Sequence, residues 1–184
     1  MFAKFFSKIT ACIILFLLAA CSSRFQPSSD AEFNRSEAVK ARINLALAYL
    51  EQSNFPKAKQ NIDKALIHDE KDYLPYSVLA YYYQKTGDTE NAEKSYQTAL
   101  NLSKNRPDVL NNYGTFLCKQ GQFQQAYHQF EQAVESEAPY YHQADTLENI
   151  ILCAKKEPNL NKITETLTKL EKLDKQRAIL LKGK

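Results

Sequence analysis

Ala80-Tyr81-Tyr82-Tyr83-Gln84-Lys85-Thr86-Gly87-Asp88-Thr89-Glu90-Asn91-Ala92 and, 34 residues on, Gly114-Thr115-Phe116-Leu117-Cys118-Lys119-Gln120-Gly121-Gln122-Phe123-Gln124-Gln125-Ala126 are the two stretches on which the fold turns. The interval of 34 also relates Ala58, Ala92 and Ala126, then Ala65, Ala99 and Ala133, then Ala46, Ala80 and Gly114, then Ile62, Tyr96 and Phe130. Phe55 and Phe123 stand two intervals apart with Thr89 between them, and Gly87 and Gly121 mark a mid-repeat turn where the first copy has Ser53-Asn54. The copies fall at 39–72, 73–106 and 107–140. Each reads as two antiparallel helices joined by a short turn. Small residues stand where the backbones approach, and large apolar residues fill the space between neighbouring pairs. No pair buries its apolar face alone, so stability comes from stacking the copies.

Four residue classes repeating at one interval exclude a generic helical bundle with accidental spacing. The turn chemistry agrees: Gly accepts a positive φ, Asp88 can cap the next helix, and Pro107 falls at a helix start, where its missing N–H costs nothing. The pattern resembles the tetratricopeptide repeat, which implies an all-α, right-handed superhelical solenoid of antiparallel helix pairs. After Tyr140 the pattern weakens. Ala144-Asp145-Thr146-Leu147-Glu148-Asn149 begins a further first helix, and Leu160, Ile163, Leu167 and Leu170 share a face of the next. Residues 141–184 are expected to form a degenerate fourth repeat and a C-terminal capping helix, since terminal repeats face water on one side.

The N-terminus has a different grammar. Lys4 and Lys8 precede the apolar run Ile9–Ala20, too short for the ~20 residues of a spanning helix. The run ends in Leu18-Ala19-Ala20-Cys21, which resembles the bacterial lipobox. Residues 1–20 are therefore expected to be a lipoprotein signal peptide, with Cys21 acylated. Two or more acyl chains hold a protein stably on a membrane. Ser22 follows the cysteine where inner-membrane lipoproteins of many enteric-type bacteria carry Asp, which implies the outer membrane. Residues 21–38 read as a lipidated tether and the start of the first helix. Without residues 1–20 the chain has 164 residues, and loss of Lys4 and Lys8 lowers its net charge from +3 to +1.

Composition narrows the chemistry. A charge that small does not make nucleic acid the default partner. His68, His128 and His142 are the only histidines, and none has a partner at metal-ligand or triad spacing. Four glycines scattered over the chain cannot build a phosphate-cradling loop. The expectation is a non-enzyme with no cofactor, no metal and no small-molecule substrate. Residues 155–184 carry nine Lys/Arg against four Asp/Glu, which reads as a solvated helix face.

Two constellations remain. Cys118 and Cys153 lie 35 residues apart at near-equivalent positions of adjacent first helices, so a disulfide between them is favoured in an oxidising periplasm. The alternative is two buried free thiols. First helices of such a solenoid line a concave groove. Counting the register places Lys40, Ile43, Leu47 and Leu50 there from copy one, Leu74, Ser77, Tyr81 and Gln84 from copy two, and Asp108, Asn111, Thr115 and Cys118 from copy three. Ile43, Leu47, Leu50, Leu74 and Tyr81 thus make an apolar strip that suits an amphipathic helix or an extended peptide. At parity with this stands burial of part of the strip under the segment Ala31-Glu32-Phe33.

Particular segments go further: Ala41-Arg42-Ile43-Asn44-Leu45-Ala46-Leu47-Ala48-Tyr49-Leu50, Ala58–Leu66, and above all Asn111-Asn112-Tyr113-Gly114-Thr115-Phe116-Leu117-Cys118. With the lipobox, they resemble the tetratricopeptide lipoproteins of type IV pilus assembly, the PilF/PilW pilotins. That resemblance covers about Ala41 to Ala154. It implies an outer-membrane lipoprotein of a Gram-negative bacterium, facing the periplasm. Its partner would be the pilus secretin subunit, whose outer-membrane localisation and multimerisation it promotes. Members of the family are usually longer, with more repeats. A general envelope scaffold serving outer-membrane protein insertion or peptidoglycan machinery stays open as the alternative.

Overall fold

The computed structural model describes residues 35–182. The expected signal peptide, the expected lipid site Cys21, most of the expected tether and the segment Ala31-Glu32-Phe33 lie outside them.

Helix starts follow short polar side chains. Ser36 Oγ accepts from the Val39 amide at 3.3 Å and opens α1 (Glu37–Glu51), two residues before the counted start of copy one. Asn54 Oδ1 accepts from the Lys57 amide and opens α2 (Phe55–His68), with Pro56 in its first turn. Asp72 Oδ1 accepts from the Leu74 amide at 2.9 Å and opens α3 (Tyr73–Thr86), and Asp88 does the same through the Asn91 amide for α4 (Thr89–Ser103). Each cap satisfies an amide that has no partner inside the helix. Pro107 is the first residue of α5 (Pro107–Lys119), which α6 (Phe123–Val134) follows. Gly87 and Gly121 hold φ of +82° and +77°, the left-handed geometry that lets the chain reverse within each copy. Then come α7 (Gln143–Lys156), α8 (Leu160–Leu173), capped by Asn159, and α9 (Lys175–Lys182). All regular elements among the described residues are helices, and none is long and apolar enough to cross a membrane.

Packing is densest within α1/α2, α3/α4, α5/α6 and α7/α8, so the helices stack as successive antiparallel pairs. First helices also touch first helices, α1 to α3 and α5 to α7. The repeated small residues sit at the closest approaches: Ala46, Ala58, Ala65, Ala80, Ala92, Ala99, Ala126 and Ala133 are all fully buried. At the third copy the register holds Gly114, and the Phe130 ring lies directly over its Cα. The apolar residues divide into one core of α1–α3, built on Val39, Ile43, Leu50 and Ile62, and a larger one running from α3 to α9. Tyr73, Ala99 and Val109 form a small cluster of their own.

α7 and α8 make a fourth pair, with Leu147, Ile151, Ala154 and Leu170 buried. Leu160, grouped by periodicity with the buried face of α8, is instead 75% exposed, as the first residue of that helix. α9 packs on α8. Lys155 donates to the Leu181 carbonyl at 3.1 Å, and Arg177 pairs with Asp145. Near the other end, Arg35 forms a two-pronged ion pair with the fully buried Asp72, and Arg35 and Arg106 both lie over the Tyr73 ring, at 5.2 and 5.4 Å.

Candidate functional site

The first helices α1, α3 and α5 bound a groove of about 340 Å³. Leu47, Leu74, Val78, Tyr81 and Tyr96 give it apolar surface, and Ser77, Gln84, Asn112, Thr115 and Lys119 give it polar groups. Beneath it, Tyr96 packs against Tyr113 and Phe116, with ring centroids 5.4 Å from each. Burial raises the Tyr96 phenol pKa well above its ordinary value, so the ring stays neutral. Its hydroxyl donates to Gln84 Oε1 at 3.3 Å, which fixes that amide at the groove wall. The Asn112 side chain makes no hydrogen bond to another described residue and stays open to a ligand.

Leu47, Leu74 and Tyr81, of the expected apolar strip, line this groove. Ile43 and Leu50 do not. They are 2% and 1% exposed and belong to the α1–α3 core. The reason is helical geometry. At about 100° per residue, the fifth and twelfth positions of a first helix lie about 40° and 60° to one side of the ninth, where the neighbouring first helix packs. The sixth and thirteenth lie about 60° and 40° to the other side, which is open. Copy three obeys the same rule. Asn111 at position five is turned toward α7, where it accepts from Asn149 Nδ2 at 2.9 Å, and Cys118 at position twelve is buried. Asn112 and Lys119, at positions six and thirteen, reach the groove instead. Lys40 and Asp108 are engaged elsewhere, with Glu37 and with Arg106 and Tyr73.

Cys118 and Cys153 are joined, with Sγ–Sγ 2.06 Å and Cα–Cα 5.8 Å, so the bond ties α5 to α7. Lys119 directly follows one of these cysteines. Desolvation lowers its ammonium pKa, and the neighbouring charges of Lys156 and Lys85 push it further the same way. The Lys85 ammonium lies 5.5 Å over the ring of Tyr81. Val78, Tyr96, Asn112 and Lys119 line the groove without having been expected there from the sequence. For all but Tyr96, positions six and thirteen of the register held the signal. His68, His128 and His142 are exposed, and among the described residues no group of three or more His, Cys, Asp or Glu could hold a metal ion.

Residues 77–139 match the family model for YpiA-like, C-terminal tetratricopeptide repeats. Over 171 residues the chain is 48% identical to an uncharacterized protein of Haemophilus influenzae, with 93% of both chains covered. It is 33% identical over 125 residues to the type IV pilus assembly protein PilF of Pseudomonas aeruginosa, which covers 65% of this chain and 50% of PilF. The match thus spans half the length of that relative. The solved structure of Pseudomonas aeruginosa PilF superposes with a TM-score of 0.69 at 30% identity, covering 77% of this chain and 63% of PilF. PilW, a widely conserved type IV pilus biogenesis factor, shares the fold, with a TM-score of 0.68 at 23% identity over 80% of this chain and 71% of its own. The chain is a tetratricopeptide-repeat protein, belonging to one family with the Haemophilus influenzae protein and related to PilF.

Proposed function

We propose that this protein is a non-enzymatic lipoprotein of the outer membrane, facing the periplasm, that binds the type IV pilus secretin subunit and promotes its localisation and multimerisation. The observation that carries this reading is the groove, a half-apolar channel on a solenoid related to a pilus assembly protein. Acyl chains on Cys21 would hold the domain at the membrane, and the groove would hold a secretin segment. Tethering raises the local concentration of the partner without any new contact. The disulfide suits a domain exposed to an oxidising compartment.

Leu47→Asp with Tyr81→Asp tests it. Both side chains are partly exposed, so the fold survives by circular dichroism, while secretin multimers on a denaturing gel disappear. Unchanged multimers refute the groove. Cys21→Ser should leave secretin away from the outer membrane. Tetratricopeptide repeats also match a family model whose description carries no pilus role, which supports one second reading, a general envelope scaffold for outer-membrane protein insertion or the peptidoglycan machinery. Affinity capture from envelope extract separates the two: secretin subunits support the first reading, insertion or cell-wall proteins the second.

A further inference from the structure

The thirteenth position of successive first helices carries Glu51, Lys85 and Lys119, and Lys156, at the end of α7, lies close enough for its charge to act on Lys119. The three lysines are exposed, and no Asp or Glu among the described residues forms an ion pair with any of them. Other lysines without an ion pair, such as Lys57, Lys64, Lys104 and Lys172, are scattered over the surface. What sets these three apart is their place at the groove, with Lys85 and Lys156 close enough for their charges to act on Lys119. Part of the cluster is also fixed. The Cys118–Cys153 bond clamps α5 against α7 beside Lys119 and one turn before Lys156, so the two ammonium groups cannot drift apart as whole helices. Lys119 itself lines the groove, and Lys85 lies over the ring of Tyr81, another lining residue. One end of the apolar channel thus meets Lys119, with the like charges of Lys85 and Lys156 beside it.

We propose that the groove takes an acidic, apolar peptide segment, its aliphatic side chains seated on Leu47, Leu74 and Tyr81 and its Asp or Glu carboxylates met by Lys119, Lys85 and Lys156. The proposal rests on the groove being the partner site and adds the chemistry of the partner. Asn112, Thr115 and Gln84 lie between the two zones and can bond the peptide backbone. Glu51 stands at the opposite end of the row, so acidic residues are rejected there, and the segment has one direction along the groove.

The test selects 12-residue peptides from a random phage-displayed library against the full-length chain in mild detergent, then titrates the enriched sequences as fluorescein-labelled synthetic peptides. The expected result is enrichment of Asp and Glu among Leu, Ile and Phe. Changing each Glu to Gln in the peptide should weaken binding about tenfold per engaged carboxylate, the effect of one charge-assisted contact. Added salt should remove most of that difference. In the variant K85Q/K119Q/K156Q the Glu and Gln peptides should bind alike. Since those lysines make no ion pair, that variant keeps its fold, which circular dichroism checks. Enriched peptides that are purely apolar, yet lost in L47D/Y81D, overturn the acidic chemistry and leave the groove standing. Peptides that bind L47D/Y81D unchanged, or a library that enriches nothing, overturn the groove reading and this inference together. Lysine-dependent binding to phosphatidylglycerol vesicles by Cys21→Ser protein, without acidic peptides in the selection, reassigns the cluster to the membrane and overturns the proposal.

Discussion

Gly114→Ala should destabilise this protein even though it replaces a mid-helix glycine with the best helix former. A Cβ at this position would lie 2.7 Å from both Cδ1 and Cε1 of Phe130 and 3.1 Å from its Cγ. Ordinary contact begins near 3.4 Å, so the ring must retreat by about 0.7 Å. It has nowhere to go, because Phe130 is fully buried among Ala126, Tyr127, Phe116 and Leu117 in the larger core. Overpacking of this kind costs about 1–3 kcal/mol. Against it stands the helix-propensity gain of Ala over Gly, about 1 kcal/mol. The net expectation is a loss of about 1 kcal/mol. The discriminating measurement is the same substitution in a Phe130→Ala background. There all three contacting atoms are gone, and Gly114→Ala should stabilise by about 1 kcal/mol through propensity alone. Urea unfolding followed by circular dichroism, on all four corners of the cycle, gives the coupling directly. A change of sign between the two backgrounds is the expected outcome. Equal effects in both would show that the ring does not oppose the added methyl, and the account of why glycine stands in this copy would be wrong.

Exchanging Cys118 and Cys153 for Ser opens a crosslink spanning 35 residues, and the chain-entropy model gives a loss of about 4 kcal/mol, read as a lower urea midpoint under non-reducing conditions. Asp72→Ala removes both the cap of α3 and the buried partner of Arg35, so it should cost about 3–5 kcal/mol, measured by the same unfolding curves. Glu157 accepts from the Tyr127 hydroxyl at 2.7 Å, and this bond holds its carboxyl pKa below the ordinary 4.5. A depressed carboxyl contributes stability above the unfolded-state value and loses it as pH falls through the folded one. Acid should therefore destabilise the native protein below about pH 4.5 more steeply than it does Tyr127→Phe, and parallel pH curves would refute the role of the bond.

The repeat was legible because its signal lies in what residues must not be. A helix approach that tolerates only a methyl leaves alanine at 46, 58, 65, 80, 92, 99, 126 and 133, and that series is visible without any structure. What opposes each small residue was not legible: the ring over Gly114 belongs to a residue of the following helix, and only packing brings the two together. The groove shows the same division. Leu74 and Tyr81 stand at positions two and nine of copy two, close to the centre of the open face, so a small error in the assumed direction leaves them in place. Ile43 and Leu50 stand near its edge, and a shift of a few tens of degrees carries them into the core. Tyr96 was beyond reach for another reason. It comes from a second helix, which no rule about first helices brings to the groove.

The apolar interior is divided, with one core in α1–α3 and another from α3 onward. The groove crosses that division, since Leu47 comes from α1 while Thr115 and Lys119 come from α5. In a repeat array each pair is held only by its neighbours, so the α1/α2 pair can open before the rest. An occupant seated across the seam would act as a splint. It would raise the protection of α1 and α2 amides against hydrogen exchange far more than those of α7 and α8, and its own residence time would report how often the N-terminal pair lets go.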